Sequence, residues 1–105
     1  MTTREIAGKE IDFDESGFMA DPNQWDRDVA TELAAEIGIT PLTDLHWQVI
    51  DFCRQEFVEN GDAPNVRRIT TVAGIPTKDL YKLFPKGPAK KAAYVAGLKK
   101  PTGCI

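Results

Sequence analysis

Proline and glycine residues divide the sequence from residue 21 to residue 97 into short segments in which apolar side chains recur at helical spacing. The pattern predicts five helices, over residues 24–37, 43–59, 65–72, 78–84 and 89–96. Most of them are too short to be stable alone in water, so they must bury their apolar faces against one another. Because 105 residues supply one modest core, we expect a single, mostly helical domain over residues 1–105, with its helical core in residues 21–97.

The longest predicted helix carries signals for both of its ends. Thr43 is expected as the N-cap, Asp44 lies near the positive end of the helix dipole, and Gly61 ends the helix. Cys53 falls on the apolar face, which favours a small core residue over a reactive thiol. His46 has no Cys, His or acidic partner at ligand spacing, so we expect it to cap or pack rather than to bind a metal.

The amino-terminal segment has a different pattern. Residues 4–13, REIAGKEIDF, contain two short apolar runs that flank an Ala-Gly-Lys turn, which predicts a β-hairpin. An acidic loop follows, and Phe18 and Met19 are expected to hold that loop against the body. We therefore assign residues 3–20 to the hairpin and its loop.

Residues 69–84, ITTVAGIPTKDLYKLF, predict a helix-turn-helix: a short helix, a glycine-containing turn and a second short helix. The stretch resembles the corresponding part of TetR-type repressors. We expect Thr77 to cap the second helix, and Leu80 and Tyr81 to face the first. If the motif binds DNA, the side chains that face DNA would be those of Thr77, Lys78, Lys82 and Lys86. The same geometry is also a common way to pack two short helices, so both interpretations stay open.

Charge is divided unevenly along the chain. The net charge is −3, but residues 1–64 hold 4 Lys/Arg against 15 Asp/Glu, whereas residues 65–105 hold 9 against 1. A basic surface on an acidic body indicates an anionic partner, such as nucleic acid, an acidic protein or an anionic cofactor. The alternative is that the basic part packs on the acidic part. A non-catalytic regulator that binds DNA or a partner through the helix-turn-helix and this basic face is therefore one possible function.

The last residues, KKPTGCI, place Cys104 on a short and flexible arm, residues 98–105. Pro101 stiffens this arm and Gly103 loosens it. The two lysines favour the thiolate, whereas a terminal carboxylate opposes it. The alternative is a terminal cysteine without a role. The sequence contains no Ser/His/Asp set, paired catalytic carboxylates, phosphate-binding glycine loop or zinc spacing, so we expect no cofactor and no metal, and any chemistry belongs to Cys104.

The segment from Leu83 to the end, LFPKGPAKKAAYVAGLKKPTGCI, resembles the carboxyl terminus of the DsrC/TusE family. This family comprises the gamma subunit of dissimilatory sulfite reductase and its relatives in the sulfur relay of tRNA thiolation. The shared pattern is Phe-Pro-x-Gly-Pro-x-Lys, then Ala-Gly-Leu-x-Lys-Pro-x-x-Cys with the cysteine penultimate. Further agreement lies at Gly17, Trp25, His46-Trp47, Ala63-Pro64 and Val66-Arg67.

The resemblance implies a small orthogonal helical bundle with an amino-terminal hairpin, an embedded helix-turn-helix and a mobile carboxyl-terminal arm. It implies that Cys104 carries persulfide sulfur or accepts sulfur at the active site of a partner. The partners would be sulfur-donor relay proteins, with sulfite reductase subunits or a tRNA-thiolating enzyme. Basic family positions match Arg67, Lys86, Lys90 and Lys100, which would bind a partner or an anionic sulfur species; Arg68 and Lys91 are weaker candidates for this role.

One position departs from the family pattern. Members that serve sulfite reductase carry a second cysteine eleven residues before the last one, and this chain has Ala93 there. It therefore resembles the single-cysteine relay members, although the spacing between Gly74 and Leu80 is closer to that of sulfite reductase members. A disulfide within the arm is not available to this chain.

The remaining sequence features concern location. No apolar run approaches the roughly twenty residues of a membrane span, and the charged amino terminus, MTTREIAGKE, lacks the apolar core of a secretory signal. Two cysteines are too few for a disulfide framework. We therefore expect a cytoplasmic protein without a membrane partner.

Overall fold

A computed structural model describes residues 1–101. The amino-terminal segment forms an antiparallel hairpin of strands β1 (Thr2–Ile6) and β2 (Lys9–Phe13), with Thr2 opposite Phe13 and Ile6 opposite Lys9. Both turn residues have positive φ, 52° at Ala7 and 78° at Gly8, as a two-residue turn that matches the strand twist requires. The predicted hairpin is confirmed.

Within residues 1–101, five α-helices follow, as predicted, after a 3-10 turn over Pro22–Gln24. Their bounds are α1 Arg27–Glu36, α2 Asp44–Asn60, α3 Val66–Thr71, α4 Thr77–Leu83 and α5 Pro88–Val95. None of these helices is long and apolar enough to cross a membrane.

The start of the first helix differs from the prediction. The predicted helix began at Gln24, but Trp25 is extended, with φ −80° and ψ 144°. Asp26 is the N-cap of α1, and its carboxylate accepts a hydrogen bond from the backbone N–H of Val29 at 2.8 Å. An aspartate that caps a helix prevents the helix from continuing backwards through it. The helical spacing of Trp25 from Val29 and Leu33 therefore predicted a helix that starts earlier than the Asp26 cap permits.

Helix α2 has both predicted ends. The Thr43 hydroxyl accepts from the His46 N–H, and His46 Nδ1 accepts from the Thr43 N–H at 3.0 Å, which completes a capping box. Since Nδ1 is an acceptor, Nε2 carries the proton and donates to the Leu83 carbonyl oxygen at 3.0 Å. His46 therefore both caps and packs, as expected. Gly61, at φ 76°, ends the helix.

Two details of the predicted helix-turn-helix are wrong. Helices α3 and α4 contact each other across the connection of residues 72–76, but Thr77 is the first residue of α4 rather than its cap, and Pro76 precedes it without a side-chain cap. Leu80 is fully buried, as expected, whereas Tyr81 is 48% exposed. Proline has no side-chain acceptor, so the first N–H groups of α4 receive no side-chain cap from Pro76.

The core consists of two clusters of buried apolar side chains. The smaller lies between the hairpin and α1 and includes Ile6, Ile11 and Leu33, together with Met19. The larger fills the space among α1 to α5, with Ala30 and Ala34 contributed by α1. Phe18 and Met19 are both buried, so the loop after the hairpin is held against the body as predicted.

Candidate functional site

The predicted sulfur-bearing residue, Cys104, lies outside the described residues. The described chain contains the start of its arm, and two side chains hold that start in place. Trp25 Nε1 donates to the Val95 carbonyl oxygen at 2.8 Å. Arg54 donates from Nη1 to the Ala96 carbonyl oxygen at 2.8 Å, and its guanidinium lies 4.1 Å from the centroid of the Trp25 ring. These contacts fix the end of α5, from which the arm begins.

The first residues of the arm belong to the folded body. Leu98 is 1% exposed, and its N–H donates to the Ala93 carbonyl oxygen at 3.0 Å. Gly97, at φ 73°, makes the turn that connects the end of α5 to Leu98. Ala93 itself is fully buried, so the position where the resemblance predicts a second cysteine in members that serve sulfite reductase is filled here by a packed methyl group.

Sequence analysis missed Arg54. Its second amino group donates to the Pro22 carbonyl oxygen at 3.3 Å, so it joins segments that are far apart in the sequence. Burial lowers the pKa of the Arg54 guanidinium, and Asp51 partly opposes this. Because its partners are backbone carbonyls, no local pattern of charges or spacing could identify it.

Two of the predicted cationic residues, Lys86 and Lys90, meet at one surface pocket of about 290 Å³. Lys91 also lines this pocket, so three lysine side chains border it. Residues 16–18 of the loop after the hairpin form one wall, and Ile37 and Tyr94 complete an apolar floor. The pocket lies between the end of α1 and the start of α5.

The other two predicted cations, Arg67 and Lys100, do not line this pocket. Both are exposed, Arg67 on α3 and Lys100 in the arm. Arg68, a weaker candidate, has a structural role: it forms a bidentate ion pair with Glu56, with Nε–Oε1 2.6 Å and Nη2–Oε2 3.1 Å. Glu56 is only 5% exposed, and its hydrogen bond raises the pKa of Arg68. The pair joins α3 to α2.

The remaining cysteine is unsuited to thiolate chemistry. Cys53 is fully buried in the larger cluster. Burial, with a smaller effect of the nearby Glu56 carboxylate, raises the pKa of its thiol to about 12. A thiol with this pKa is protonated at neutral pH and does not attack sulfur, so the interpretation of Cys53 as a core residue is confirmed.

The predicted DNA-facing lysines Lys78 and Lys82 are exposed on α4. Nothing in residues 1–101 distinguishes them as a nucleic-acid site, and DNA binding stays a prediction. Within the same residues, no group of three or more His, Cys, Asp or Glu side chains is placed to hold a metal ion.

Fold and site together define a class of small helical proteins with an amino-terminal hairpin, in which α5 leads into a lysine-bearing segment that contains one cysteine, Cys104. The chain belongs to the DsrC family, because residues 5–105 match the family model described as DsrC like protein. The family assignment made from the sequence is thereby confirmed.

Relatives of two kinds match the chain over nearly its whole length. One is the sulfite reductase, dissimilatory-type subunit gamma, of Nitratidesulfovibrio vulgaris, with 38% identity over 93% of this chain and 93% of that protein. Another is the sulfurtransferase TusE of Salmonella typhimurium, with 38% identity over 93% of this chain and 95% of that protein. The NMR structure of Allochromatium vinosum DsrC superposes with a TM-score of 0.84 at 41% identity, over 98% of this chain and 97% of that one.

Proposed function

We propose that this protein is a sulfur carrier that accepts and hands on persulfide sulfur through Cys104. The observation that carries the proposal is the match over nearly the whole chain to proteins named sulfurtransferase and sulfite reductase subunit. The burial of Cys53 supports it, because Cys104 is then the cysteine left for thiolate chemistry.

The transfer step needs no external oxidant. The Cys104 thiolate attacks the outer sulfur of a donor persulfide, a new S–S bond forms, and the S–S bond of the donor breaks so that the donor leaves as a thiolate. Cys104 now carries the persulfide. Attack by an acceptor thiolate on the outer sulfur of this persulfide reverses the roles and regenerates the Cys104 thiolate.

The held start of the arm is consistent with this role. Leu98 and Pro101 are both buried, and Cys104 follows Pro101 by three residues, which span at most about 11 Å when fully extended. A sulfur atom on this short tether can reach the active sites of proteins that dock beside it on the body.

We assign partner or anion binding to the predicted cations Arg67, Lys86, Lys90 and Lys100. In this proposal the donors are cytoplasmic sulfur-relay proteins, and the receiving protein is a sulfite reductase subunit or a tRNA-thiolating enzyme. Exposed ammonium groups attract an acidic docking surface and speed the encounter, and this attraction weakens as salt is added.

The test is intact-mass analysis after incubation with glutathione persulfide and removal of the excess donor. We expect one added sulfur atom in the wild-type chain and in Cys53→Ala, and none in Cys104→Ser. Sulfur retained by Cys104→Ser, or absent from folded Cys53→Ala, would show that the carrier is not Cys104. Affinity purification from native extract then identifies which acceptor the chain serves.

A further inference from the structure

Among the described residues, no carboxylate forms an ion pair with the three lysines that border the pocket. Within residues 1–101 the ion pairs are Arg4–Glu36, Lys9–Asp26, Arg27–Asp51 and Arg68–Glu56, and none includes Lys86, Lys90 or Lys91. Two carboxylates near the pocket already have partners. Glu36 binds Arg4 and accepts from the Tyr94 hydroxyl, and Asp14 accepts from the N–H groups of Ser16 and Phe18 at 2.9 and 3.0 Å.

The floor of the pocket is held in place before any ligand binds. The Phe18 and Tyr94 rings meet edge to face, with their centroids 5.7 Å apart. The Tyr94 hydroxyl donates to Glu36 at 3.0 Å, and the Asp14 N–H donates to the Phe18 carbonyl oxygen at 2.7 Å. A preformed floor lowers the entropy lost when a side chain binds there.

From this combination we infer that the pocket binds one apolar side chain that is flanked by carboxylates, on an acidic segment of a partner protein. The floor supplies the apolar contact, and Lys86, Lys90 and Lys91 pair with the flanking carboxylates. That a sulfur-relay partner docks at this pocket rests on the sulfur-carrier function proposed above. That the pocket binds an acidic segment with an apolar side chain does not depend on that function.

Size and position favour this occupant. A volume of about 290 Å³ is at the lower limit for a small-molecule pocket, and it accommodates a single leucine-sized side chain. Buried apolar anchors surrounded by a polar rim are the usual centres of protein interfaces. The pocket lies at the start of α5 and the arm begins at its other end, so a partner held here is within one length of this helix, about 12 Å, of the start of the arm.

The test is an NMR titration of the ¹⁵N-labelled full chain at low salt with two acetylated and amidated pentapeptides, Glu-Glu-Leu-Glu-Glu and Glu-Glu-Ser-Glu-Glu. The two peptides carry the same charge and differ only in the anchor. We expect the leucine peptide to bind about ten-fold more tightly and to shift the amides of residues 16–18, 37 and 86–94.

A pair of charge-reversal variants provides the matched control. Lys86→Glu/Lys90→Glu should lose binding of the leucine peptide, whereas Lys78→Glu/Lys82→Glu, with the same change in net charge on exposed lysines of α4, should keep most of it. Cys104→Ser should bind as the wild type does, so failure of the sulfur-carrier function and failure of this inference are distinguishable.

Three results would overturn the inference. Equal binding of both peptides, with equal loss in both double variants, would mean diffuse attraction to a basic surface. Sodium sulfite that shifts the same amides, without any preference for the leucine peptide, would make the pocket an oxyanion site. Shifts of these amides when the protein alone is concentrated would mean that a second copy fills the pocket.

Discussion

Gly97 illustrates how a single residue fixes the point at which the arm leaves the body. It has φ 73°, a region that favours glycine, and a Cβ at this position would lie 2.7 Å from Cγ and 2.8 Å from Cβ of Trp25. Trp25 cannot easily retreat, because its indole donates to Val95 and stacks on Arg54. Both the backbone and the neighbouring side chain therefore require glycine.

We predict that Gly97→Ala destabilises the protein more than Gly61→Ala does. Gly61 has nearly the same φ, 76°, but open space where its Cβ would lie, so Gly61→Ala should cost about 1 kcal/mol of unfolding free energy, from the left-handed backbone alone. Gly97→Ala adds a steric clash of about 1–3 kcal/mol. Urea unfolding of the two variants measures the difference, and equal losses would contradict the role of Trp25.

Sequence reasoning could predict only part of this arrangement. Gly61 and Gly97 were both expected as helix ends, because glycine follows the last apolar residue of a periodic segment. The contact of Gly97 with Trp25 could not be predicted, since it joins residues 72 positions apart. The pocket could not be predicted either, because its lining residues are far apart in the sequence. Lys86 and Lys90 were candidate site residues, but the apolar lining comes from Phe18, Ile37 and Tyr94 in three separate parts of the chain.

The starts of α1 and α2 are both determined by side chains that cap the helix, but only the cap of α2 can be recognised from the sequence. The threonine and histidine at the start of α2 form a capping box that three-residue spacing indicates. The start of α1 depends on Asp26 instead, whose carboxylate binds the Val29 N–H and lies 3.1 Å from Lys9 Nζ. Asp26 lay within an apparent helical pattern that included Trp25, so the competing cap was not recognised.

The capping of α1 makes stability depend on pH. The hydrogen bond from Val29, followed by the interaction with Lys9, lowers the pKa of Asp26 below its ordinary value of 3.8. A carboxyl group with a lowered pKa in the folded state contributes stability that is complete above its unfolded pKa and is lost as pH falls through the folded pKa. We therefore expect Asp26→Asn, which keeps an acceptor, to be less stable than the wild type at pH 7.

The same comparison at lower pH checks the sign. Below pH 3.8 the difference in unfolding free energy between the wild type and Asp26→Asn should shrink, whereas Asp26→Ala should remain less stable than Asp26→Asn by about 1 kcal/mol, because it lacks a cap at any pH. Urea unfolding at pH 7 and pH 3 measures both. A difference that does not vary with pH would show that the charge of Asp26 is not coupled to folding.

Few ion pairs among residues 1–101 connect the acidic segment, residues 1–64, to the basic segment that follows it in the whole molecule. Of the four ion pairs in residues 1–101, only Arg68–Glu56 links the acidic segment, residues 1–64, to the basic one. Simple packing of the basic part on the acidic part therefore does not account for the lysines of α4 and α5. Those charges remain available to partners, while apolar contacts hold the two segments together.

The apolar contacts make the hairpin and the helices one cooperative structure. Among the described residues, Trp25 and Tyr94 pack against both core clusters, and the Tyr94 hydroxyl also donates to Glu36 of α1. A small domain whose clusters share side chains in this way should unfold in a single transition. Methyl NMR signals of Ile6 and Ile11 in the smaller cluster, and of Ile50 and Ile69 in the larger one, report the two clusters separately.

We predict that these signals have the same urea midpoint in the wild-type protein, with a common slope of about 1–3 kcal/mol per molar urea. Tyr94→Ala removes a half-buried ring shared by both clusters, so it should cost about 2–4 kcal/mol and cause the signals of Ile6 and Ile11 to change at lower urea than those of Ile50 and Ile69. Tyr81→Ala, on the exposed side of α4, is the matched control and should change stability by less than about 0.5 kcal/mol. Separate transitions in the wild type, or equal effects of the two tyrosine variants, would mean that the hairpin and the helical core fold independently and that Tyr94 does not couple them.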